Sequence, residues 1–109
     1  MATVDKVLRV VPGFRGDERD ELVGVLEPGL DRRLERWDDD QVEMELSVKE
    51  RDSVQQRVVL EAWIATRGRT RFVATSDEQD LHKAVTEVRD DLRRQVDRFV
   101  TKGEDARRG

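Results

Sequence analysis

The sequence predicts an α+β domain of two layers, in which a four-stranded sheet carries two helices on one face. Three observations support this prediction. Several short segments alternate apolar and polar residues, as half-buried strands do, and the last third of the chain repeats apolar residues at helical spacing. The 109 residues also fit one domain. The predicted order is β-α-β-β-β-α, and packing both helices on one side of one sheet buries every apolar stripe.

The first strand and first helix follow from local signals. A strand is predicted at Val4–Val11, a β-branched run that ends at Pro12–Gly13. The helix begins near Gly16–Asp17, because acidic residues suit a helix N-terminus. Pro28 lacks a backbone donor, so we expect a kink or two short helices. The apolar positions of this helix are Leu22, Val25, Leu26, Leu30, Leu34 and Trp37.

Three further strands are predicted at Gln41–Glu50, Arg57–Thr66 and Thr70–Thr75. A polar loop at 51–56 separates the first two. The alternation of apolar and polar residues assigns one face of each strand to the core and leaves the other face exposed to solvent. The inward residues are Val42, Met44, Leu46, Val48, Leu60, Ala62, Ile64, Phe72 and Ala74.

The register of the last hairpin can be predicted from its turn. A three-residue loop at 67–69 places Ile64 opposite Phe72, so that both face inward. The same register puts Trp63 beside Val73 on the outer face of the sheet.

The last helix is long and amphipathic. Ser76 is predicted to cap it, with Gln79 at the spacing of a capping box. Gly103 is predicted to end it. Residues 1–102 then form a single domain, and residues 103–109 form a loose basic tail. The residues predicted to be buried are Leu81, Ala84, Val85, Val88, Leu92, Val96 and Phe99.

The composition of the chain and its lack of certain motifs argue against several classes of protein. The chain has no cysteine, so it cannot be a disulfide scaffold, and no apolar run is long enough to span a membrane. We find no nucleophile–base pair, metal-ligand set or fitting phosphate loop, and therefore expect no enzyme, no cofactor, no metal and no small-molecule substrate. The Gly13–Gly16 segment has the glycine spacing of the phosphate-clamping loop of KH domains. That loop joins two helices, whereas this segment follows a strand, so it is best explained as a turn. His82 is expected to be a partly exposed helix residue.

Cations recur on one face of the last helix. Arg94, Arg98 and Lys102 are four residues apart and form a basic ladder, with Lys83 below it. Arg89 belongs to a second row on the other edge of the apolar stripe. The net charge of −4 argues against a general nucleic-acid binder, but local potential decides where a polyanion docks.

Two segments carry a family resemblance. Leu34–Trp37 reads Leu-Glu-Arg-Trp, and Asp80–Val85 opens the last helix with Asp-Leu-His-Lys-Ala-Val. Leu92–Val96, Lys102–Gly103 and Ala106–Arg108 continue the pattern. These motifs resemble the N-terminal domain of the ribosome hibernation promotion factor and ribosome-associated translation inhibitor family. Residues from about Leu30 to the end are similar, and we expect a short form with this domain only.

The resemblance implies a dsRBD-like fold and a cytoplasmic protein that binds the decoding region of the small ribosomal subunit. There it would overlap the mRNA and tRNA sites and silence translation under stress. Arginine suits rRNA because its planar fork binds phosphate bidentately. The candidate rRNA-binding residues are Arg94, Arg98, Lys102, Lys83, Arg89, Arg36 and Arg33.

Two other interpretations stay open. On composition alone, the charged face of the helix is an ordinary solvated surface with pairs such as Glu87–Arg94. Alternatively, the chain is a diverged paralogue without rRNA binding. It would then contact a protein through the outer face of the sheet at Trp63, Val59 and Val73, where a weak homodimer would also form. Ribosome binding should weaken steeply with salt, whereas a contact centred on Trp63 should tolerate it.

Overall fold

The computed structural model describes residues 1–11, 13–66 and 68–108, with side chains described as far as Lys102. It confirms the predicted α+β architecture. The elements are α1 (Val4–Val7), β1 (Leu8–Val10), α2 (Arg19–Leu34), β2 (Val42–Lys49), β3 (Arg57–Ala65), β4 (Arg69–Ser76) and α3 (Leu81–Arg108). Short 3-10 turns at Gly16–Glu18 and Asp39–Gln41 precede α2 and β2.

The sheet has the strand order β1-β2-β3-β4. β1 pairs with β2 in parallel, and the other neighbours are antiparallel. Strands β2, β3 and β4 bury alternate residues, as predicted, and their inner faces share one apolar core with α2 and α3. The fully buried members of that core include Leu26, Leu30, Leu34, Met44, Leu46, Leu60, Ile64 and Leu92.

Helix α2 stays one element across Pro28, so two short helices do not form. The proline leaves the carbonyl of Gly24 without its helical donor, but Gly24 is exposed, so water can satisfy that oxygen. The helix can continue through Pro28 because the backbone carbonyl that loses its hydrogen bond faces solvent.

The predicted first strand at Val4–Val11 is wrong in its first half, which forms α1. Thr3 caps this turn by accepting a hydrogen bond from the backbone of Lys6. The backbone N–H of Val4 donates to a carboxylate oxygen of Asp31 on α2, at 2.8 Å. This tertiary contact overrides the β-branched character of the segment.

The hairpin register is shifted by two residues from the prediction. Ile64 lies opposite Thr70, and Trp63 lies opposite Arg71 rather than beside Val73. Each residue keeps its face because the shift is even. The loop does contain three residues, but they are 66–68, with Gly68 last at a φ of 99°. A three-residue hairpin loop needs a positive φ at its last position, which glycine supplies. Arg67 lies outside the described residues.

Both predicted ends of α3 are wrong. Ser76 is the last residue of β4 and does not cap the helix, which begins at Leu81. The carboxylate of Asp80 instead accepts the backbone N–H of Lys83, at the spacing of an N-cap. The helix also passes through Gly103 and runs to Arg108. The division of the chain at residue 102 and the looseness of the tail stay predictions.

Among the described residues, no helix has both the length and the apolar character that a membrane crossing requires.

Candidate functional site

The basic ladder of Arg94, Arg98 and Lys102 lies on the exposed side of α3, and Lys83 is exposed near the start of the same helix. The opposite side is held by the core through fully or almost fully buried residues at helical spacing, namely Ala84, Val85, Val88, Leu92 and Val96. Leu81 and Phe99, which were also predicted to be buried, are partly buried at the edge of this core. The apolar stripe therefore sets which way the ladder faces.

A hydrogen bond from Gln95 also fixes the orientation of α3. Its side-chain amide donates to the backbone carbonyl of Val73 on β4, over 2.8 Å. Gln95 directly follows Arg94, so this bond ties the helix to the sheet at the level of the ladder.

The ladder arginines differ from the other arginines of the site in their pairing. Neither Arg94 nor Arg98 forms an ion pair with any residue that the structure describes. The expected pair between Glu87 and Arg94 is wrong, because the Glu87 carboxylate accepts the hydroxyl of Ser76 at 2.5 Å. Both guanidinium groups thus remain available to an external anion.

Arg89, by contrast, is used within the protein. Its Nη1 donates to the backbone carbonyl of Val25 on α2 at 3.0 Å, and its Nε lies 3.0 Å from the carboxylate of Asp90. A Cβ placed on Gly29 would lie 3.0 Å from Cδ of Arg89. Gly29 therefore lets Arg89 lie against α2, where it joins the two helices rather than presenting a free cation.

Helices α2 and α3 are neighbours and run parallel, so their C-terminal halves lie together. Arg33 on α2 forms an ion pair with Asp97 on α3, with Nε and Oδ1 separated by 3.2 Å. Arg36 is exposed and lies 5.7 Å from the ring centre of Trp37. A groove of about 240 Å³ opens between these helix ends. It is lined by Arg32, Arg33, Arg36, Asp97, Val100 and Thr101.

The outer sheet face, which points away from α2 and α3, has a different character. Trp63, Val59 and Val73 are half-buried there. The guanidinium carbon of Arg69 lies 5.4 Å from the ring centre of Trp63. Arg69 is also paired with Glu43 at 2.9 Å. This face therefore holds an aromatic residue beneath a cation that already has a partner.

A second ion pair on this face involves Arg71. Its Nη2 lies 2.8 Å from the carboxylate of Glu61, and its Nε donates to the same oxygen. Arg71, which lies opposite Trp63 on β4, and Arg69, which lies over its ring, are thus both paired with glutamates of the sheet.

The Gly13–Gly16 loop is a turn, as expected. Gly13 has a φ of 116°, and an added Cβ would lie 2.6 Å from the carbonyl oxygen of Val48, so only glycine fits there. Nearby, Arg51 holds Glu18 through two hydrogen bonds of 2.8 and 2.7 Å. These bonds lower the pKa of Glu18 to about 2 and raise that of Arg51. The pair joins the loop before α2 to the loop after β2, a role that spacing in the sequence did not reveal.

His82 is exposed, in line with expectation. Within the described part of the chain, no group of three or more histidine, cysteine or acidic side chains is arranged to hold a metal ion.

Comparison with known proteins places the chain in a family. No curated protein matches it. The family model described as sigma 54 modulation protein / S30EA ribosomal protein matches residues 19–104, most of the chain and both long helices. This is the family that the motifs on α2 and α3 resemble. It groups ribosome-associated modulation factors that act without catalysis. The chain therefore belongs to the sigma 54 modulation protein / S30EA ribosomal protein family.

Proposed function

We propose that this chain binds the small ribosomal subunit near its decoding region and inhibits translation by occupying the sites of mRNA and tRNA. Family membership supports ribosome association, and the precise location follows from the resemblance described above. The protein would act in the cytoplasm when translation is suppressed under stress. No bond is made or broken in this mechanism, because the bound domain excludes other ligands by its volume.

The observation that carries this proposal is the exposed basic ladder. Arg94, Arg98 and Lys102 are exposed on one side of α3, and the two arginines have no ion-pair partner among the described residues. Residues four apart on a helix are separated by about 6 Å along its axis. Successive ladder residues can therefore engage successive phosphates of one RNA strand, and arginine can do so with two hydrogen bonds.

The neighbouring helix extends this surface. Arg36 and Arg33 lie beside the C-terminal half of α3, across the groove from Thr101. Lys83 lies further along α3 towards its start. We assign the main rRNA contacts to the ladder and supporting contacts to Lys83, Arg36 and Arg33. Arg89 contributes by holding α2 against α3, given its bond to Val25.

Co-sedimentation with purified small ribosomal subunits at low and moderate salt tests this proposal. The wild-type protein should pellet with the subunits, and moderate salt should release it, because phosphate contacts weaken as salt rises. Replacing Arg94 and Arg98 with glutamate should abolish pelleting at both salt concentrations.

The matched control replaces Arg69 and Arg71 with glutamate. It changes the net charge by the same amount, but on the outer sheet face, and should leave pelleting almost unchanged. Equal losses in the two double variants would show that net charge rather than the ladder governs binding. Retained pelleting of the Arg94→Glu/Arg98→Glu variant would refute the site.

A second candidate function is a protein-interaction module on the outer sheet face. It is favoured by the position of Trp63 on a face that neither α2 nor α3 covers. A partner bound there would tolerate salt and would be lost on Trp63→Ala. A weak homodimer through the same face stays a prediction. Failure of the wild-type protein to pellet even at low salt would favour this candidate.

A further inference from the structure

The groove between the C-terminal halves of α2 and α3 contains one acidic residue among several arginines. Asp97 lies on the α3 side, and its Oδ1 is 3.2 Å from Nε of Arg33. The two side chains are 49% and 33% exposed, so the ion pair stands at the mouth of the groove, where solvent and ligands reach it. Arg32 and Arg36, also on the groove, are exposed.

A carboxylate and a phosphate use a guanidinium group in the same way, since each presents two oxygens to its planar set of donors. The Asp97 carboxylate contacts Arg33 through one oxygen at Nε and therefore covers part of the guanidinium edge that a phosphate would bind. We propose that Asp97 is a latch on a phosphate-binding groove, and that a nucleic-acid phosphate entering the groove displaces it from Arg33. This inference rests on the proposed function for the source of the phosphate, the backbone of rRNA.

The position of the latch makes it selective for a polyanion. Arg94 lies one helical turn before Asp97, and Arg98 follows it directly, so the ladder and the groove form one continuous surface. A free phosphate must compete with a carboxylate that is already in place. An RNA strand held by the ladder instead presents its next phosphate at high effective concentration. The groove thus opens to a strand that has already docked.

The pair of Arg89 and Asp90 provides a contrast within the same helix. Arg89 Nη1 also donates to the carbonyl of Val25, and the Arg89 side chain is only 21% exposed against α2. Removing the carboxylate of Asp90 does not release this arginine. Asp90→Asn is therefore a matched control for Asp97→Asn, because each removes one negative charge from α3 and only the second frees an arginine.

Equilibrium titration of purified small ribosomal subunits at several salt concentrations tests the latch. Asp97→Asn should bind about five-fold more tightly than wild type, the value of one exposed ion pair. Its salt dependence should steepen by about 0.7 to 0.9, the slope of one added phosphate contact. Asp90→Asn should stay within about two-fold of wild type. Equal effects of the two variants, or no effect of Asp97→Asn, would overturn the latch while leaving the proposed function intact.

A second measurement uses inorganic phosphate as the probe and needs no ribosome. The NMR signal of the Arg33 Nε–Hε group should respond at lower phosphate concentration in Asp97→Asn than in wild type or Asp90→Asn. The same response in all three proteins would contradict the latch, whatever the ribosome titration gives. If no protein binds the subunit but this difference persists, the proposed function fails and the anion-binding groove stands.

Discussion

The arginines on the outer sheet face and those of the basic ladder on α3 differ in whether they form ion pairs. On the outer sheet face, Arg69 and Arg71 each lie within 3 Å of a glutamate on another strand of the sheet. On α3, Arg94 and Arg98 have no such partner among the described residues. The two faces hold the same residue type, but Arg69 and Arg71 are compensated by glutamates, whereas no described residue pairs with Arg94 or Arg98. We therefore expect the pairing of these arginines, more than the number of cations, to decide where a polyanion could dock on a chain of net charge −4.

The outer sheet face and α3 are supported by the same apolar core. A substitution in this core should therefore have the largest effect. Leu92 is fully buried beneath α3, and Leu92→Ala should lower the free energy of unfolding by about 3 kcal/mol through the lost contacts and the cavity. Urea denaturation followed by circular dichroism measures this loss. Val54→Ala is the control, because Val54 is 89% exposed and its removal should have almost no effect. A small loss for Leu92→Ala would mean that α3 contributes little to a shared core.

A third charged region of the molecule is the Glu18–Arg51 ion pair, which is sheltered between two loops. Glu18→Gln should cost about 2 kcal/mol at neutral pH, because the hydrogen bonds to a charged partner weaken. The pKa of Glu18 is about 2 in the folded protein and 4.5 in the absence of these bonds. The stabilisation is therefore complete above pH 4.5 and disappears as the pH falls towards 2.

Urea unfolding at a series of pH values checks this sign. The gap in stability between wild type and Glu18→Gln should be constant near neutral pH and should close between pH 4.5 and 2. Asp17→Asn is the control, since Asp17 is 80% exposed. A gap that stays constant down to pH 2 would contradict the role of the charge.

The comparison between helix and sheet is sharpest for single neutral substitutions. Arg94→Gln should weaken binding to the small subunit by about five-fold and reduce the salt slope by about 0.7 to 0.9, because one phosphate contact is lost. Fluorescence titration at several salt concentrations measures both quantities. A reduced affinity with an unchanged salt slope would show that Arg94 acts by a route other than phosphate binding.

The smallest effect is expected for the corresponding change on the sheet. Arg71→Gln should alter subunit affinity by less than about two-fold and stability by no more than about 1 kcal/mol, because exposed ion pairs contribute little. Titration and urea unfolding of the same sample measure both. A loss of affinity like that of Arg94→Gln would remove the distinction between the two faces.

The parts of the fold predicted correctly are those set by local periodicity. Alternation in β2 and β3 and the helical spacing in α3 place residues such as Met44, Leu60 and Val88 in the core. The errors arise where tertiary contacts decide. Asp31 holds the turn at Val4, although its carboxylate is 27 residues away, and neither propensity nor spacing reports such a contact.

In the candidate site, too, relations within one helix follow from the sequence and contacts between helices do not. Residues four apart predict that Arg94 and Arg98 share a face, because a single helix sets that relation. The partner of Arg33 lies 64 residues away on another helix, so its pairing with Asp97 depends on how α2 and α3 are aligned. Spacing along one helix therefore predicts how the candidate cations are arranged, but not which of them already have a partner within the protein.

The bond between Gln95 and the carbonyl of Val73 has a consequence for self-association. β4 is an edge strand, and the exposed backbone of an edge strand is a template for pairing with another chain. An incoming strand would have to displace the Gln95 amide from the middle of β4 before its own hydrogen bonds could form there. One side chain thus protects this edge against aggregation by strand addition, while leaving the outer side of α3 open to solvent.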